Sequence, residues 1–299
     1  MTGLTGLFLG AGASHYTGMP LAWELTEEIK NWLTPQKIRE LNAGWRLQGG
    51  GHSDEVISDF IGMLERPSVH YEAILGHIQT QSRRHRTLRQ DYYNLYSWLV
   101  ELVYRLLYYR QINNSVYLAR HISRYDGLRS LVEANRTLWV FSLNYDVMIE
   151  AIAARLSIPL YGGFSSKTIT LPRRDKGGVK TGELNAEVLT REEIEKGPLY
   201  LPNQLQHGIY LLKIHGSLDI FAFNEGQDLL KIKPLASSFD GGIAALRAAN
   251  EDLLYATPAW SGGQVKTTNE IAYADDEGEM QFPRRSLLAG ACKFDGRDQ

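Results

Sequence analysis

The amino-terminal stretch constrains the fold more than any other part of this chain. A short apolar run, Leu4 to Leu9, stops in Gly10-Ala11-Gly12-Ala13-Ser14. After Gly18-Met19-Pro20, apolar residues recur at every fourth position: Leu21, Leu25, Ile29 and Leu33. The first pattern is that of a buried strand and the last that of an amphipathic helix. Pro20 suits a first helical turn, and Glu24, Glu27 and Glu28 lie near the positive end of the helix dipole. A buried strand, a glycine turn and then a helix make the opening unit of a parallel α/β sheet.

The same rhythm returns. Thr137-Leu138-Trp139-Val140-Phe141-Ser142-Leu143 reads as a strand, followed by Asn144-Tyr145-Asp146 and a helix carrying Val147, Ile149, Ile152, Ala153 and Leu156. Ile158 to Tyr161 is a further short strand, and Ile209 to Ile214 a buried one that leads into His215-Gly216-Ser217. Between the first two motifs, four amphipathic stripes predict a helical insertion over residues 45–135, opened by a flexible loop at 45–52. Residues 162–206 mix Gly, Pro and charge and read as an irregular insertion, and a helix is expected over 242–254. The fold class expected is α/β, a Rossmann-like parallel sheet with a helical insertion.

Composition narrows the function. The chain has 299 residues, 43% hydrophobic and 22% charged, which is globular rather than disordered. Thirty-two basic against 34 acidic residues give a net charge of −2, so direct nucleic-acid binding is not expected. The one basic run, Arg83, Arg84, His85, Arg86 and Arg89, reads as a solvated helix end. A single cysteine, Cys292, excludes an intrachain disulfide and any zinc site of three or four thiolates. The apolar tract Leu95 to Tyr109 is interrupted by Glu101 and Arg105, a buried helix rather than a bilayer span. No secretory signal is seen, so the expected location is cytoplasmic, with no membrane partner.

Three turns carry the candidate chemistry. Glycines at 10 and 12 let backbone amides approach a phosphate, with the following helix dipole favouring a pyrophosphate; the same residues also close a tight turn with no ligand. The third glycine of the dehydrogenase fingerprint is replaced by His15. Asn144 and Asp146 follow a strand's carboxyl end, where open parallel sheets bind ligands. Asn144 offers a donor and an acceptor, while Asp146 can cap the next helix with one oxygen and leave the other for a ligand. His215 follows an apolar run and precedes a glycine, a place suited either to a general base near neutral pH or to pinning a turn. Neither Ser14 nor Ser217 sits in a Gly-x-Ser-x-Gly elbow, so a serine nucleophile is not expected.

In this order, Gly10 to Ser14 with Gly18-Met19-Pro20, Ser142-Leu143-Asn144-Tyr145-Asp146 and Lys213-Ile214-His215-Gly216-Ser217 resemble the sirtuin-like NAD-binding fold. The Asn-Tyr-Asp form and the long helical stretch are similar to its bacterial antiviral-defence branch, whose members hydrolyse NAD to ADP-ribose and nicotinamide. The resemblance implies a sirtuin-like domain over 1–299 in which Asn144 and His215 are catalytic. Gly10, Ala11, Gly12 and Ser14 would form the dinucleotide loop, with Asp146, Gly216 and Ser217 as further binding residues. NAD would be the substrate, no metal would be needed, and a homo-oligomer or a protein partner would control the activity.

Departures from the family point the same way. The four-cysteine zinc ribbon of protein-deacetylating sirtuins cannot be built, and Leu21-Ala22-Trp23 stands where they carry Phe-Arg. The alternatives are a protein deacylase or ADP-ribosyltransferase, and a non-catalytic NAD or ADP-ribose sensor. The family's further strand with a Gly-Tyr-x-x-x-Asp turn is not found after Leu287-Leu288-Ala289-Gly290, so the nucleotide fold is expected to be unfinished at its carboxyl end.

Overall fold

A computed structural model describes residues 5–164, 167–175, 179–196, 199–202, 206–223, 227–251, 273–274, 280–281 and 284–287. The chain divides into an α/β unit, Met1–Gly18 with Tyr108–Ser286, and a helical unit, Met19–Leu107 with Leu287–Gln299.

The α/β unit opens with β1 (Thr5–Leu9) and a single helical turn, α1 (Gly12–His15). The helical unit contains α2 (Ala22–Trp32), α3 (Pro35–Leu47), α4 (Asp54–Leu64), α5 (Tyr71–Arg84) and most of α6 (Arg89–Asn113). Their starts follow capping chemistry. Glu24 Oε2 accepts from the Leu21 amide at 2.8 Å, and the Thr34 hydroxyl accepts from Lys37 N with Pro35 in the first turn. Pro20 therefore precedes the cap of α2 rather than lying in its first turn. Trp45, Arg46 and Leu47, expected in a loop, are the last turn of α3; the chain leaves the helix only at Gly49 and Gly51, both at positive φ. Along α6, Tyr92 and Tyr104 are fully buried whereas Tyr93 and Tyr109 are half exposed, so the tyrosines there are mainly packing residues.

The α/β unit resumes with α7 (Ser115–His121), a 3-10 turn (Ile122–Tyr125) and α8 (Gly127–Asn135). Next come β2 (Thr137–Ser142), α9 (Met148–Leu156) and β3 (Leu160–Tyr161). Residues 162–206 are not irregular: they hold the antiparallel pair β4 (Thr168–Arg174) and β5 (Lys180–Leu189), then α10 (Arg191–Lys196). Buried Leu184, Ala186 and Val188 alternate with outward residues along β5, the period of a half-buried strand. Pro172 is tolerated because β4 lies at a sheet edge, where a missing donor costs little. There follow β6 (Gly208–Lys213), β7 (Gly216–Phe223), β8 (Asp228–Ile232) and α11 (Phe239–Glu251). Last are the short strands β9 (Tyr273–Ala274), β10 (Met280–Gln281) and β11 (Arg284–Leu287).

The fold class is the expected one. Strands β1, β2, β6 and β3 form, in that order, a four-stranded sheet that is parallel throughout, the Rossmann-like element of a mixed α/β structure. A second sheet has the order β11-β7-β8-β5-β4, antiparallel at β7–β8, β8–β5 and β5–β4. One face of the parallel sheet is covered by Met148, Ile149, Ile152 and Leu156 of α9, together with Leu118, Ile122 and Val132, all packed on Leu138, Val140, Ile209 and Leu211. On its other face Trp139, Tyr210 and Tyr161 stack in a row, with ring centroids 5.0 and 4.8 Å apart. Among the described residues no helix is long and apolar enough to cross a membrane. In the carboxyl-terminal stretch 255–299, expected to hold no buried strand, β11 joins the second sheet at its edge beside β7, with Arg284 exposed. The remaining residues of that stretch, Cys292 and Leu288-Ala289-Gly290 included, lie outside the described residues apart from β9 and β10.

Candidate functional site

The three turns singled out in the sequence sit side by side because the strands that carry them stop level. Leu9 pairs with Ser142, and Ser142 with Lys213, so β1, β2 and β6 end in one row. The ladder runs one step further, with Leu143 N donating to Leu9 O at 2.9 Å and Ile214 N to Ser142 O at 3.0 Å. Gly10, Asn144 and His215 therefore all emerge at the carboxyl edge of the parallel sheet.

A buried chain of hydrogen bonds ties the first two turns together. Asn144 Nδ2 donates to Gly10 O at 2.8 Å and to Ser14 Oγ at 2.6 Å, and Ser14 Oγ donates to Asp146 Oδ2 at 2.6 Å. Asp146 Oδ1 accepts at 3.0 Å from the amide of Met148, the first residue of α9, but from one residue before the cap: the cap position is Val147, which makes no side-chain bond. The second oxygen of Asp146, read in the sequence as open to a ligand, is held by Ser14. Both amide hydrogens of Asn144 are likewise committed, which leaves Oδ1 as its acceptor for a ligand or water. Tyr125, which the sequence reading passed over, donates to Ala13 O at 2.7 Å; burial, reinforced by the Asp146 carboxylate, pushes its phenol up from the ordinary tyrosine range.

The glycine loop leaves space above itself. Neither Gly10 nor Gly12 has positive φ, and a Cβ built on either would meet nothing within 4 Å. The space above both positions is therefore open. Ala11 and Gly12 are exposed, and their amides donate to none of the described residues. The helix behind the loop differs from expectation: α1 is one turn long and α2 begins only at Ala22, so the loop's own amides, rather than a long helix dipole, supply any anion affinity.

The third turn is built differently. The chain does not enter a helix after β6 but passes through Ile214 and His215 straight into β7 of the second sheet. Gly216, at φ +84°, makes the corner. Leu218 N and Ser217 Oγ both donate to Tyr145 O, at 2.8 and 3.2 Å, fastening the start of β7 to the Asn144 turn. His215 is 5% exposed, its ring tilted 39° to that of Tyr145 with centroids 6.4 Å apart.

Lys213, quoted in the motif but given no role there, joins all of this from below. Its buried ammonium donates to Asn144 O at 3.3 Å and to Asp146 O, and lies 3.6 Å from Glu150 Oε2. Glu150 is also 3.5 Å from Lys231, which pairs with Asp219 at 2.8 Å. Burial pushes the Glu150 carboxyl above the ordinary glutamate range despite Lys213 and Lys231. Burial acts on Asp219 in the same sense but is outweighed, chiefly by Lys231, which holds that carboxyl below its ordinary value. A lysine ending a buried strand and an acid on the apolar face of α9 were the available signals for this cluster.

Among the described residues no group of three or more His, Cys, Asp or Glu side chains could hold a metal ion. No family model matches the chain, and no curated protein matches it.

Proposed function

We propose that this chain is a sirtuin-like NAD hydrolase of the bacterial antiviral-defence type, cleaving NAD to ADP-ribose and nicotinamide. The observation that carries the reading is the level ending of β1, β2 and β6, with the Ser14–Asn144–Asp146 chain bridging the first two turns at that edge. Ligands of open parallel sheets bind there, and the clearance at Gly10 and Gly12 suits a pyrophosphate. In this reading the Ala11 and Gly12 amides face the phosphates. Asn144 Oδ1 receives a ribose hydroxyl or the attacking water, in a position fixed by its two donor bonds. His215 accepts the proton that water or hydroxyl releases, while the glycosidic electron pair leaves with nicotinamide. Control by assembly or by a partner belongs to the same proposal.

The burial of His215 favours one second reading, an NAD or ADP-ribose sensor that binds without turnover. Chromatography of NAD incubated with the full chain separates the two, since only the hydrolase releases ADP-ribose and nicotinamide. His215→Ala is expected to keep NAD binding and to lose roughly 100-fold in rate. Near-normal turnover in that variant removes His215 from the mechanism, and acylated ADP-ribose from an acylated peptide would favour the deacylase instead.

A further inference from the structure

We propose that a cavity in the α/β unit, walled by α9, β3, β8 and α11, is a separate ligand site, and that it takes a largely apolar molecule carrying an uncharged hydrogen-bond-donor head such as a carboxamide. The cavity has a volume of about 470 Å³, within the range of sites for small organic molecules. None of Gly10, Ser14, Asn144 or His215 lines it, so the inference stands whether or not the chain acts on NAD.

Its chemistry is divided. Val147, Ala151, Ile158, Ile232, Phe239 and Leu246 supply apolar wall, Glu150, Asp219 and Lys231 a buried polar patch, and Glu187 with Lys233, 3.4 Å apart, a more exposed and already neutralised pair. Two ammonium groups, Lys213 and Lys231, stand against the two carboxylates of that patch, which are thereby balanced in charge when both are ionised. A charged head would upset that balance in a buried place, where an uncompensated charge is expensive.

The two ammonium groups nevertheless leave acceptors unfilled: Lys231 donates to Asp219 Oδ2, but the lysines stand 3.5 and 3.6 Å from the Glu150 oxygens. Glu150 Oε1, Glu150 Oε2 and Asp219 Oδ1 are buried acceptors with no hydrogen bond from any described residue, and Asp219 is only 8% exposed. Buried polar atoms in folded proteins are nearly always hydrogen-bonded, and ionised carboxylates can only accept. The head that fits must therefore bring N–H or O–H groups. A carboxylate head would set acceptor against acceptor.

Calorimetric titration of the full chain with a matched series tests this: 4-phenylbutanamide, 4-phenylbutylamine and 4-phenylbutanoate share an apolar body and differ in the head. The amide is expected to bind saturably at one site per chain, and the amine and the carboxylate at least about tenfold more weakly, the scale of one hydrogen bond to a charged group. Gly242 lines the cavity, and a Cβ there meets nothing within 4 Å, so Gly242→Leu adds apolar volume to the cavity wall from α11 without a backbone clash. This variant is expected to lose amide binding while melting no lower than the parent. Equal binding of all three compounds, tighter binding of either charged one, no saturable binding of the amide, or undiminished amide binding by Gly242→Leu would each overturn the proposal.

Discussion

Ser14→Ala tests the architecture of the candidate site most directly. The Ser14 hydroxyl is fully buried, accepts from Asn144 Nδ2 at 2.6 Å and donates to Asp146 Oδ2 at 2.6 Å. Alanine removes one bond to a carboxylate, of about 1.5–3 kcal/mol, and one between neutral groups, of about 0.5–1.5 kcal/mol. Asn144 keeps its bond to Gly10 O, but Asp146, itself buried, is left with one oxygen unsatisfied. The expected loss is about 3 kcal/mol, which in a unit of this size lowers the melting temperature by roughly 6–12 °C. Hydrogen exchange of β1 and β2 peptides, read by mass spectrometry, reports this unit separately from the helical one. The reasoning is specific about the partner. A double-mutant cycle of Ser14→Ala with Asp146→Ala should give a coupling of about 1.5–3 kcal/mol, because the double variant no longer buries a deserted carboxylate. Additive effects, or a single-variant loss below about 0.5 kcal/mol, would refute the idea that this hydroxyl bridges the two turns.

Three further outcomes follow from the geometry. Gly18 has φ +90°, and a Cβ there would lie 2.8 Å from Asn114 Nδ2; Gly18→Ala should cost about 1–3 kcal/mol in thermal denaturation, and adding Asn114→Ala should not restore the parent, since it relieves the Nδ2 contact but keeps a Cβ 3.1 Å away, deletes the Asn114 Nδ2–Gly18 O bond and leaves the backbone strain. Lys213→Met strips Glu150 of a partner and two backbone carbonyls of a donor, and should destabilise by about 3–5 kcal/mol, with partial recovery when Glu150→Gln removes the stranded carboxyl. The third outcome concerns pH. Because the folded Glu150 carboxyl titrates above the ordinary 4.5, the folded state holds the extra proton in that window, and stability falls as pH rises through it. Glu150→Gln cannot titrate, so its denaturation free energy should lack that fall; parallel profiles for variant and parent would contradict it. Asp219, held low, acts in the opposite sense: its contribution is present above the ordinary 3.8 and is lost on acidification through its depressed value.

The parts of this molecule that were legible in its sequence are those written in contiguous apolar runs. Strands β2 and β6 are each six residues of largely buried chain, whereas β1, equally apolar, is the edge strand of the sheet and leaves Phe8 68% exposed rather than buried as expected; the turn after each falls where such a sheet presents its ligand edge. The hairpin β4–β5 was hidden because its edge strand carries Pro172 and two arginines, and because only the second half of β5 is buried. The break between α1 and α2 was hidden too: apolar spacing marks the face of a helix far better than its first residue. At the candidate site the members were legible but not their bonding. Ser14 and Asn144 lie 130 residues apart, and no local pattern reports that a serine hydroxyl will take up the oxygen of Asp146 that seemed open to a ligand. The Glu150 cluster is similarly an assembly of four single charges drawn from three strands and one helix.

The passage from β6 to β7 has no slack. Two residues, Ile214 and His215, join the parallel sheet to the antiparallel one, and the three steps from Lys213 to Gly216 reach no further than about 10 Å. Both ends of the link are moored, by the pairing of Lys213 with Ser142 and by the bonds of Ser217 and Leu218 to Tyr145 O. Elsewhere in the chain, an added residue can be absorbed by a loop. Here it would swing the imidazole of His215 or displace a whole sheet. Length at this junction is therefore held as tightly as residue identity, and a one-residue insertion or deletion between Lys213 and Gly216 would be more disruptive than most single substitutions nearby.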